Sequence, residues 1–415
     1  MGRVSTAPQA PLLPRTASPS PHAARGFWVV AYVFATTLAF SGAPAPLYVL
    51  YQREQGFGPL AVTVVFGAYA VGVALSLYLA GHLSDRFGRR RVTAPAVVLN
   101  VLAALVFLAS HELLWLLVAR FTSGLGVGML TATATAHLTE LHRSARPHAS
   151  PALATAVGAA ANLGGIGLGP LVAGLLAERT ADPLSSTYLV FAVLMALGLL
   201  GLVTVPETVA PATGPWSYRP QRVAVPPHAR AGFRAAGAVA FTGFALFGFF
   251  TSLAPSFLSG TLHEGSHAVA GAVTALVFGS AAAAQALTGS WGSARLYRAG
   301  LGLLPGGVVL VVAAILTPSF PLLLAGGLVV GAGAGLAFRG AVAAVVGLAE
   351  PGGRGESLAG LFLIAYLGLA APVVLLGALV RFAPLGPSIT GFGAVVLALL
   401  ALSAALVRSA RPAAG

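Results

Sequence analysis

The fold is decided by the stretch Gly81-His82-Leu83-Ser84-Asp85-Arg86-Phe87-Gly88-Arg89-Arg90-Arg91, a short charged loop between two long apolar segments. It sets one carboxylate, that of Asp85, among four arginines. The carboxylate can pair with Arg86 or Arg90, and it can also favour the N-terminus of a neighbouring helix, whose partial positive charge attracts anions. Gly81 permits a helix to end against a neighbour, and Gly88 permits a tight turn. The spacing predicts a latch on one side of a helical bundle; the alternative is a basic anchor with an incidental acid.

The composition predicts an all-α membrane protein. Of the 415 residues, 57% are hydrophobic and 8% are charged, whereas about a quarter of the residues of a soluble domain are charged. Apolar stretches of the ~20 residues needed to cross a bilayer recur along the chain. The chain has no cysteine, which excludes disulfides and thiolate metal sites, and we expect no metal site and no cofactor. The net charge of +13 is dispersed over short loops, which argues against a nucleic-acid partner.

Twelve spans are predicted, six on each side of a polar, proline-rich stretch. The predicted organisation is a disordered cytoplasmic tail at 1–26, a six-helix bundle at 27–206, a cytoplasmic linker at 207–231, a six-helix bundle at 232–408 and a cytoplasmic tail at 409–415. The fourth span is expected to end near residue 138, with His137 as the only histidine inside a span.

Arginine positions predict the orientation, because basic residues in short loops stay in the cytoplasm. With the N-terminus inside, nearly every loop arginine falls on the cytoplasmic side, and only Arg53, Arg179 and Arg381 fall outside. A missed span would exchange the sides of every later loop. The pattern predicts a multi-pass protein of the cell (inner or plasma) membrane with both termini in the cytoplasm.

The two predicted bundles repeat the same small-residue patterns. The glycine-rich run 124–128 in the fourth span matches 331–335 in the tenth, and 169–170 in the fifth corresponds to 371–372 in the eleventh. Small residues let helices approach closely, and duplicated six-helix units are typical of transporters. We therefore expect two pseudo-symmetric bundles.

The stretch 81–91 resembles the signature of the Major Facilitator Superfamily: a Gly, a small spacer, Asp-Arg and then Gly-Arg-Arg. The resemblance implies that superfamily's fold and a contact between Asp85 and the start of the eleventh span, near Gly355 to Ser357. It implies a gating role for six residues, Gly81, Asp85, Arg86, Gly88, Arg89 and Arg90. Glu140, at the end of the fourth span, could pair with Arg86 or Arg90 in a structural role.

Arg120 lies within the fourth span, where a charge costs about 2.5–3.5 kcal/mol on insertion scales and marks a candidate site. With Gly124 it resembles the superfamily's fourth-helix motif, which implies a role in the proton path or in substrate charge; the alternative is that Arg120 extends to the outer interface. Arg339 in the tenth span could bind an anionic substrate group, face a water-filled cavity or extend to the cytoplasmic end. His137 could carry protons, because histidine titrates near neutral pH, or it could be a hydrogen-bonded core residue.

The fifth span resembles the antiporter motif of the superfamily at Gly165, Gly169, Pro170 and Gly174, with Ala173 where glycine is commoner. Proline bends a helix, and glycines let it lie flush against a partner. The resemblance implies a likeness to bacterial twelve-helix drug/proton antiporters. Close packing without a preferred direction of transport is the alternative.

A cavity is expected beside the end of the first span, because Pro44 and Pro46 would interrupt that helix and broken helices border transporter cavities. Seven side chains are candidates for its wall, each with an alternative role in packing or at the interface: Tyr48, Tyr51, Tyr69, Asn100, Asn162, Gln285 and Tyr366. Such an apolar, weakly charged cavity would suit amphipathic or hydrophobic solutes.

The ten acidic residues all lie outside the middle of the predicted spans, so proton coupling would pass through Glu54, His137 or an acid at the rim, or the carrier is not driven by protons. No cluster of nucleophiles, metal ligands or paired acids predicts an enzyme. The sequence predicts a monomeric alternating-access carrier that exports small amphipathic or apolar compounds against protons. Uptake or facilitated diffusion of a small metabolite is the alternative, and a non-transporting sensor on the same fold is a distant third.

Overall fold

The structure, a computed structural model, describes residues 20–210, 217–221, 225–350 and 353–410. In these ranges twelve segments are long and apolar enough to cross a membrane, which confirms the predicted number of spans. The secondary structure of the same ranges is helical, without strands, as predicted. Of the predicted tails and linker, residues 1–19, 211–216, 222–224 and 411–415 lie outside the described residues.

The first bundle contains nine α-helices and one π-helical turn, Ala160–Gly164, which lies between the two helices of the fifth span. The α-helices are α1 (Pro21–Gly42), α2 (Pro44–Gln55), α3 (Pro59–Ala80), α4 (Leu83–Phe87), α5 (Arg89–Ala109), α6 (Leu113–Ala145), α7 (Ala152–Ala159), α8 (Gly165–Arg179) and α9 (Pro183–Leu202). The short helix α4 lies in the loop between the second and third spans.

The second bundle follows a 3-10 turn at Pro227–Ala229. Its helices are α10 (Arg230–Ser252), α11 (Ala254–Thr261), α12 (His267–Leu287), α13 (Ser293–Leu316), α14 (Phe320–Leu348), α15 (Arg354–Leu379) and α16 (Leu385–Ser409). Because the number of spans is even, both ends of the described chain lie on one face, together with the loop 81–88. We call this the N-terminal face and the opposite one the far face.

Each bundle begins with a helix that is interrupted before the far face. α1 ends at Gly42 and α2 begins at Pro44, while α10 ends at Ser252 and α11 begins one residue before Pro255. Proline has no N–H with which to continue the helical hydrogen bonds. The interruption of the first span by its prolines is therefore confirmed, and the second bundle repeats it.

Two helix boundaries differ from the prediction. α1 begins at Pro21 rather than at residue 27, because the Ser20 side chain caps its first turn and proline suits the first helical position. α6 continues to Ala145, beyond the expected end near 138. The prediction that His137 is the only histidine inside a span is therefore wrong, since α6 also contains His142.

Equivalent glycines pack the two bundles in the same way. Gly124 of α6 lies against the carbonyl oxygen of Tyr69 on α3, and Gly331 of α14 lies against that of Val277 on α12. A side chain at either glycine would overlap the neighbouring backbone. The fourth span thus packs on the second as the tenth packs on the eighth, which confirms the two pseudo-symmetric bundles.

The bundles meet where α8 packs on α12 and where α3 packs on α15. Both seams are close near the far face, where Gly174 meets the backbone of His267 and Gly377 meets the side chain of Thr63. At the N-terminal face, the side chain of the linker residue Gln221 lies next to the ends of both α3 and α15. Gly174 and Gly377 therefore bring the bundles together toward the far face, while Gln221 lies between the ends of α3 and α15 at the N-terminal face.

Candidate functional site

A cavity of about 840 Å³ lies between the two bundles. Its lining at the N-terminal face includes Asp85, Glu140 and Gly355, and its inner end reaches Ser41 and Thr251. Because Asp85 is exposed, the cavity is open to the N-terminal face. Its size falls within the roughly 300–1,000 Å³ of small-molecule sites.

Polar contacts between the bundles close the far face. The carboxylate of Glu178, at the end of α8, accepts hydrogen bonds from the Ser266 hydroxyl and from a backbone N–H in the first turn of α12. The Ser256 hydroxyl donates to the side-chain oxygen of Gln52 (3.1 Å), and His267 Nδ1 lies 3.3 Å from the carbonyl oxygen of Pro46. These contacts join α2 and α8 of the first bundle to α11 and α12 of the second.

A second far-face acid does not take part in this closure. Asp182 accepts a hydrogen bond from the backbone N–H of Ser185 (3.1 Å) and so caps α9. Hydrogen bonds from Ser185 hold the pKa of the Asp182 carboxyl below its usual range. Its charge is used within the first bundle, so Glu178 is the acid that links the two bundles.

The antiporter-like residues of the fifth span lie on two sides of α8. Gly165 and Gly169 pack against α1 of the same bundle, while Gly174 and Pro170 pack against α12 of the opposite bundle. A side chain at Gly174 would overlap the backbone of His267. The glycines thus bring α8 into direct backbone contact with both neighbours, including the helix across the seam.

Arg120 lies at the inner end of the cavity and is only 2% exposed. Its Nη1 donates a hydrogen bond to the carbonyl oxygen of Ser41 (2.7 Å), and its guanidinium carbon lies 4.5 Å from the centroid of the Tyr69 ring. Its Nε has no hydrogen-bond partner among the described residues. The alternative that Arg120 extends to the outer interface is therefore wrong, because its guanidinium is a buried cation on the cavity wall.

The second bundle contributes an aromatic wall to the same cavity. This wall is formed by Phe244, Phe247, Phe278, Phe338, Phe362 and Tyr366. Its rings also contact one another, with centroid distances of 4.8 Å for Phe244 and Phe338 and 4.7 Å for Phe247 and Phe278. The wall can bury the apolar part of a ligand.

Five of the seven cavity candidates line the cavity: Tyr48, Tyr69, Asn162, Gln285 and Tyr366. The other two form packing contacts elsewhere. The Tyr51 hydroxyl donates to that of Tyr188 (3.1 Å), and the side-chain oxygen of Asn100 accepts from Ser123 (3.0 Å). Tyr51 and Asn100 therefore have the alternative role, in packing.

Arg339 lines the cavity, but its charge is partly compensated. Its Nη1 donates to the carbonyl oxygen of Gln285, and its Nη2 donates to that of Gly289 (3.1 Å). Gln285 lies in the last turn of α12 and Gly289 lies two residues beyond the helix, where a cation offsets the partial negative charge of the helix end. The Gln285 amide in turn donates to the carbonyl oxygen of Gly335 (3.0 Å). Arg339 thus joins α14 to α12 near the N-terminal face.

His137 is fully buried outside the cavity lining. Its Nε2 lies 3.3 Å from the carbonyl oxygen of Pro206, at the end of the first bundle. In the structure His137 is therefore a hydrogen-bonded core residue, which was the alternative to a proton carrier. Gly124 has the packing role on α3 given above.

Ion pairs at the N-terminal face converge on Arg89, the first residue of α5. Its Nη1 lies 2.5 Å from Asp85 Oδ1 and its Nη2 lies 2.9 Å from Glu140 Oε1. Nη1 also donates to the Ser84 hydroxyl (2.8 Å). One buried guanidinium therefore joins α4, α5 and α6 within the first bundle.

The ion pairs of these two acids with Arg89 differ from the predicted pairing with Arg90. Arg90 donates instead to the backbone carbonyls of Val203 and Val205, at 3.1 and 3.2 Å. The cause is local: Gly88 has a φ of 106°, which reverses the chain between α4 and α5. The reversal places the first side chain of α5 next to both acids.

Glu207, in the predicted linker, was not recognised as part of this face. Its carboxylate accepts hydrogen bonds from the backbone N–H groups of Arg89 (2.6 Å) and Arg90 (3.1 Å). The Glu207 carboxylate thus caps the start of α5. It can approach the helix this closely because Gly88 has no side chain. The available signal was that Glu207 is an acid immediately after the sixth span.

The predicted contact between Asp85 and the start of the eleventh span is replaced here by Gln221. The backbone N–H of Gln221 donates to the carbonyl oxygen of Tyr78 on α3 (2.8 Å), and its side chain lies against Gly81 and Gly355. Asp85 instead forms its ion pair within its own bundle. Nothing in the local sequence distinguished Gln221 from the rest of the linker.

The charge of the cavity is positive. Its acids, Asp85 and Glu140, both pair with Arg89 at the mouth, while Arg120, Arg143 and Arg339 also line it. In the described ranges, no group of three or more His, Cys, Asp or Glu side chains could hold a metal ion.

Two six-helix bundles around a cavity that opens on one face define a membrane transporter of small solutes. The sequence profile of the Major Facilitator Superfamily matches residues 29–265, and the chain belongs to this family of transporters.

Two relatives share shorter regions. The arabinose-proton symporter of Bacillus subtilis (strain 168) is 35% identical over 104 residues, which cover 25% of this chain and 22% of the symporter. The multidrug resistance protein MdtL of Klebsiella pneumoniae (strain 342) is 32% identical over 76 residues, 18% of this chain and 19% of MdtL. Each match therefore spans about a fifth of the relative's length.

Among solved structures, the fold is similar to a bacterial homolog of the human lysosomal transporter Spinster in an inward-facing, unoccupied conformation. The TM-score is 0.70 at 16% identity, and the match covers 96% of this chain and 100% of that one. At this identity the similarity concerns the fold alone.

Proposed function

We propose that the protein exports small amphipathic or apolar compounds by alternating access, in exchange for protons. The carrying observation is the cavity of about 840 Å³, which opens at the N-terminal face and has an aromatic wall. In this proposal the N-terminal face and both termini are cytoplasmic, because loop arginines concentrate there. The cavity is then accessible from the cytoplasm of a plasma or inner membrane, and one chain is sufficient for transport.

The lining favours amphipathic solutes over sugars. A sugar site needs many free hydrogen-bonding groups, since unpaired buried polar groups are costly. Here the second bundle presents mainly apolar side chains, five of them phenylalanine, and the amide of Gln285 is already bonded to Gly335. The name of MdtL as a multidrug resistance protein supports the same substrate class.

Transport requires the far-face seam to open as the N-terminal face closes. We propose that the bundles rock about the cavity, so that α8 leaves α12 while α4 approaches the start of α15. Asp85 would then exchange its contact with Arg89 for one with α15, and Gln221 would leave the seam. Exposure of Asp85 at the cavity mouth supports this exchange.

Glu178 is our candidate for proton coupling. It is exposed on the far face and accepts hydrogen bonds from the second bundle. Protonation would remove the charge that holds the start of α12 and would loosen the seam. The charged and titratable groups around it are Arg53, Arg179, Glu264 and His267. Glu54 forms no comparable bridge among the described contacts, and His137 faces away from the cavity.

The test uses purified protein in liposomes with an imposed pH gradient and the membrane potential clamped at zero. Amphipathic fluorescent dyes of negative, zero and positive charge are loaded on the side of the N-terminal face. Export should require the gradient and should fall in Arg120→Ala and Asp85→Ala, while Arg91→Ala, at an exposed site, is the matched control.

Two outcomes would contradict the proposal. Movement of dye and protons in the same direction would favour the uptake alternative, for which the arabinose-proton symporter is the relevant relative. No movement of any dye or sugar, with the protein folded, would favour a non-transporting sensor.

A further inference from the structure

We propose that the preferred substrate is a lipophilic organic monoanion, with its acidic group at Arg120 and Tyr48 and its apolar body on the aromatic wall. This inference rests on the proposed function and specifies its substrate class.

The first observation is an unpaired cation at the inner end of the cavity. The acids of the cavity lining, Asp85 and Glu140, both pair with Arg89, and Arg120 has no carboxylate partner among the described residues. One carbonyl oxygen and the Tyr69 ring stabilise its guanidinium, but Nε is left without a partner. A buried charge is costly unless it is paired. A bound anion would complete this site.

The second observation is an unpaired hydroxyl in the same place. Tyr48 is 3% exposed and lines the cavity, and its hydroxyl has no hydrogen-bond partner among the described residues. It lies within electrostatic range of Arg120. A guanidinium and a phenol, both with free donors, match the two oxygens of a carboxylate.

The remaining lining decides the charge and the shape of the occupant. A cation would find only Asp85 and Glu140, which are paired with Arg89 at the mouth. A dianion would need a second free cation near Arg120, but Arg339 donates to two backbone carbonyls, and Arg143 lies about 34 Å from Arg120 along α6. The aromatic wall requires a large apolar body. Together these features select a single negative charge on a lipophilic frame.

The test measures binding to the purified full chain in detergent, by equilibrium dialysis against three fluorescent probes of matched shape. The probes are 2-naphthoate, 2-naphthamide and 2-naphthylmethylammonium, and empty micelles give the background. We expect 2-naphthoate to bind at least tenfold more tightly than the amide, and the ammonium more weakly than the amide. Equal binding of all three would overturn the proposal.

Variants connect this preference to the two residues. Arg120→Gln should weaken 2-naphthoate binding at least tenfold and leave the amide unchanged, whereas Arg295→Gln, outside the cavity beside Trp291, is the matched control. Tyr48→Phe removes only a hydroxyl, and it should weaken 2-naphthoate binding severalfold even if Arg120→Gln fails to fold. Unchanged 2-naphthoate binding in either folded variant would overturn the proposal.

The result is independent of transport, because binding in detergent needs no gradient. Selective binding of 2-naphthoate without export would contradict the proposed function and support the anion site. Export of neutral dyes by a protein that does not distinguish the three probes would contradict the anion site alone.

Discussion

Replacing Gly271 by alanine should shift the protein away from the conformation described here. A β-carbon at Gly271 would lie 2.8 Å from the carbonyl carbon of Pro170 and 3.1 Å from the Cα atom of Leu171. Optimal separations between carbon atoms are about 3.5–4.0 Å. Both neighbours are backbone atoms of α8, so they cannot move aside as a flexible side chain can. The added methyl group therefore acts as a wedge between the bundles near the far face.

The size of the effect follows from the cost of overpacking, about 1–3 kcal/mol at a close-packed site. The cost applies only to the conformation in which α8 and α12 touch at the far face. A difference of this size changes the ratio of two conformations by about 5- to 150-fold. We therefore expect the fraction of molecules open at the N-terminal face to fall.

The assay measures distances between spin labels on the far face. Because the chain has no cysteine, Glu112→Cys and Thr317→Cys, at exposed residues of opposite bundles, provide the sole attachment sites. Longer distances should gain population in Gly271→Ala, and Gly174→Ala should add less than its separate effect because it acts on the same seam. In the matched control Gly279→Ala, a β-carbon on the same helix meets no atom within 4 Å.

The reasoning would be refuted by an unchanged distance distribution in folded Gly271→Ala. An equal shift in Gly271→Ala and Gly279→Ala would also contradict it, because helix stability rather than packing across the seam would then determine the distribution.

The ion pairs, the chain reversal and the far-face acid each lead to a further prediction. Replacing Arg89 by glutamine leaves the half-buried Glu140 without its cation and should lower the free energy of unfolding, measured by SDS titration, by about 2 kcal/mol. The control Arg91→Gln, at an exposed site, should change the free energy of unfolding by less than about 0.5 kcal/mol. Equal effects of the two replacements would contradict the prediction. Gly88→Ala imposes a φ of 106° on a residue with a side chain, and this backbone strain costs about 1–3 kcal/mol. The variant should therefore be cleaved faster by trypsin in the 81–91 loop. Unchanged cleavage would argue against strain at this position. Glu178→Gln should lengthen the far-face distances at neutral pH and remove their dependence on pH, whereas a retained pH dependence would transfer the proton-sensing role to another group.

The helices could be predicted from the sequence because the bilayer imposes a length and an apolar composition on every span. The interruption of the first span at Pro44 was also predictable, because proline removes a backbone hydrogen-bond donor wherever it lies in a helix. The face presented by Arg120 was left open, although the sequence contains a signal for it. Polar residues recur every four positions along α6 and line the same cavity: Thr131, Thr135, Thr139 and Arg143.

The partner of Asp85 shows the limit of reasoning from neighbours in the sequence. Arg90 lies in the same basic run, yet Asp85 pairs with Arg89, which follows the turn at Gly88. Glu207 lies 118 residues after Arg89 in the sequence, and its capping of α5 depends on where α9 ends. Such contacts depend on the assembled bundle rather than on any local pattern.

In the proposed mechanism, substrate binding and proton binding occur at different ends of the pathway. The substrate anion pairs with Arg120, so its release does not require a carboxylate in the cavity, and the proton acts on Glu178 at the far-face seam. Export of a monoanion also moves negative charge outward, which an inside-negative potential favours by about 2.3 kcal/mol per 100 mV. Export of 2-naphthoate from liposomes should therefore continue after the pH gradient is collapsed, provided that a potential is imposed, and its rate should increase with that potential. In exchange for a proton, export of the neutral 2-naphthamide moves one charge fewer, so its rate should increase less steeply with the potential. If both probes respond equally to the potential, the charge that moves during transport belongs to the protein or to protons, and not to the substrate bound at Arg120.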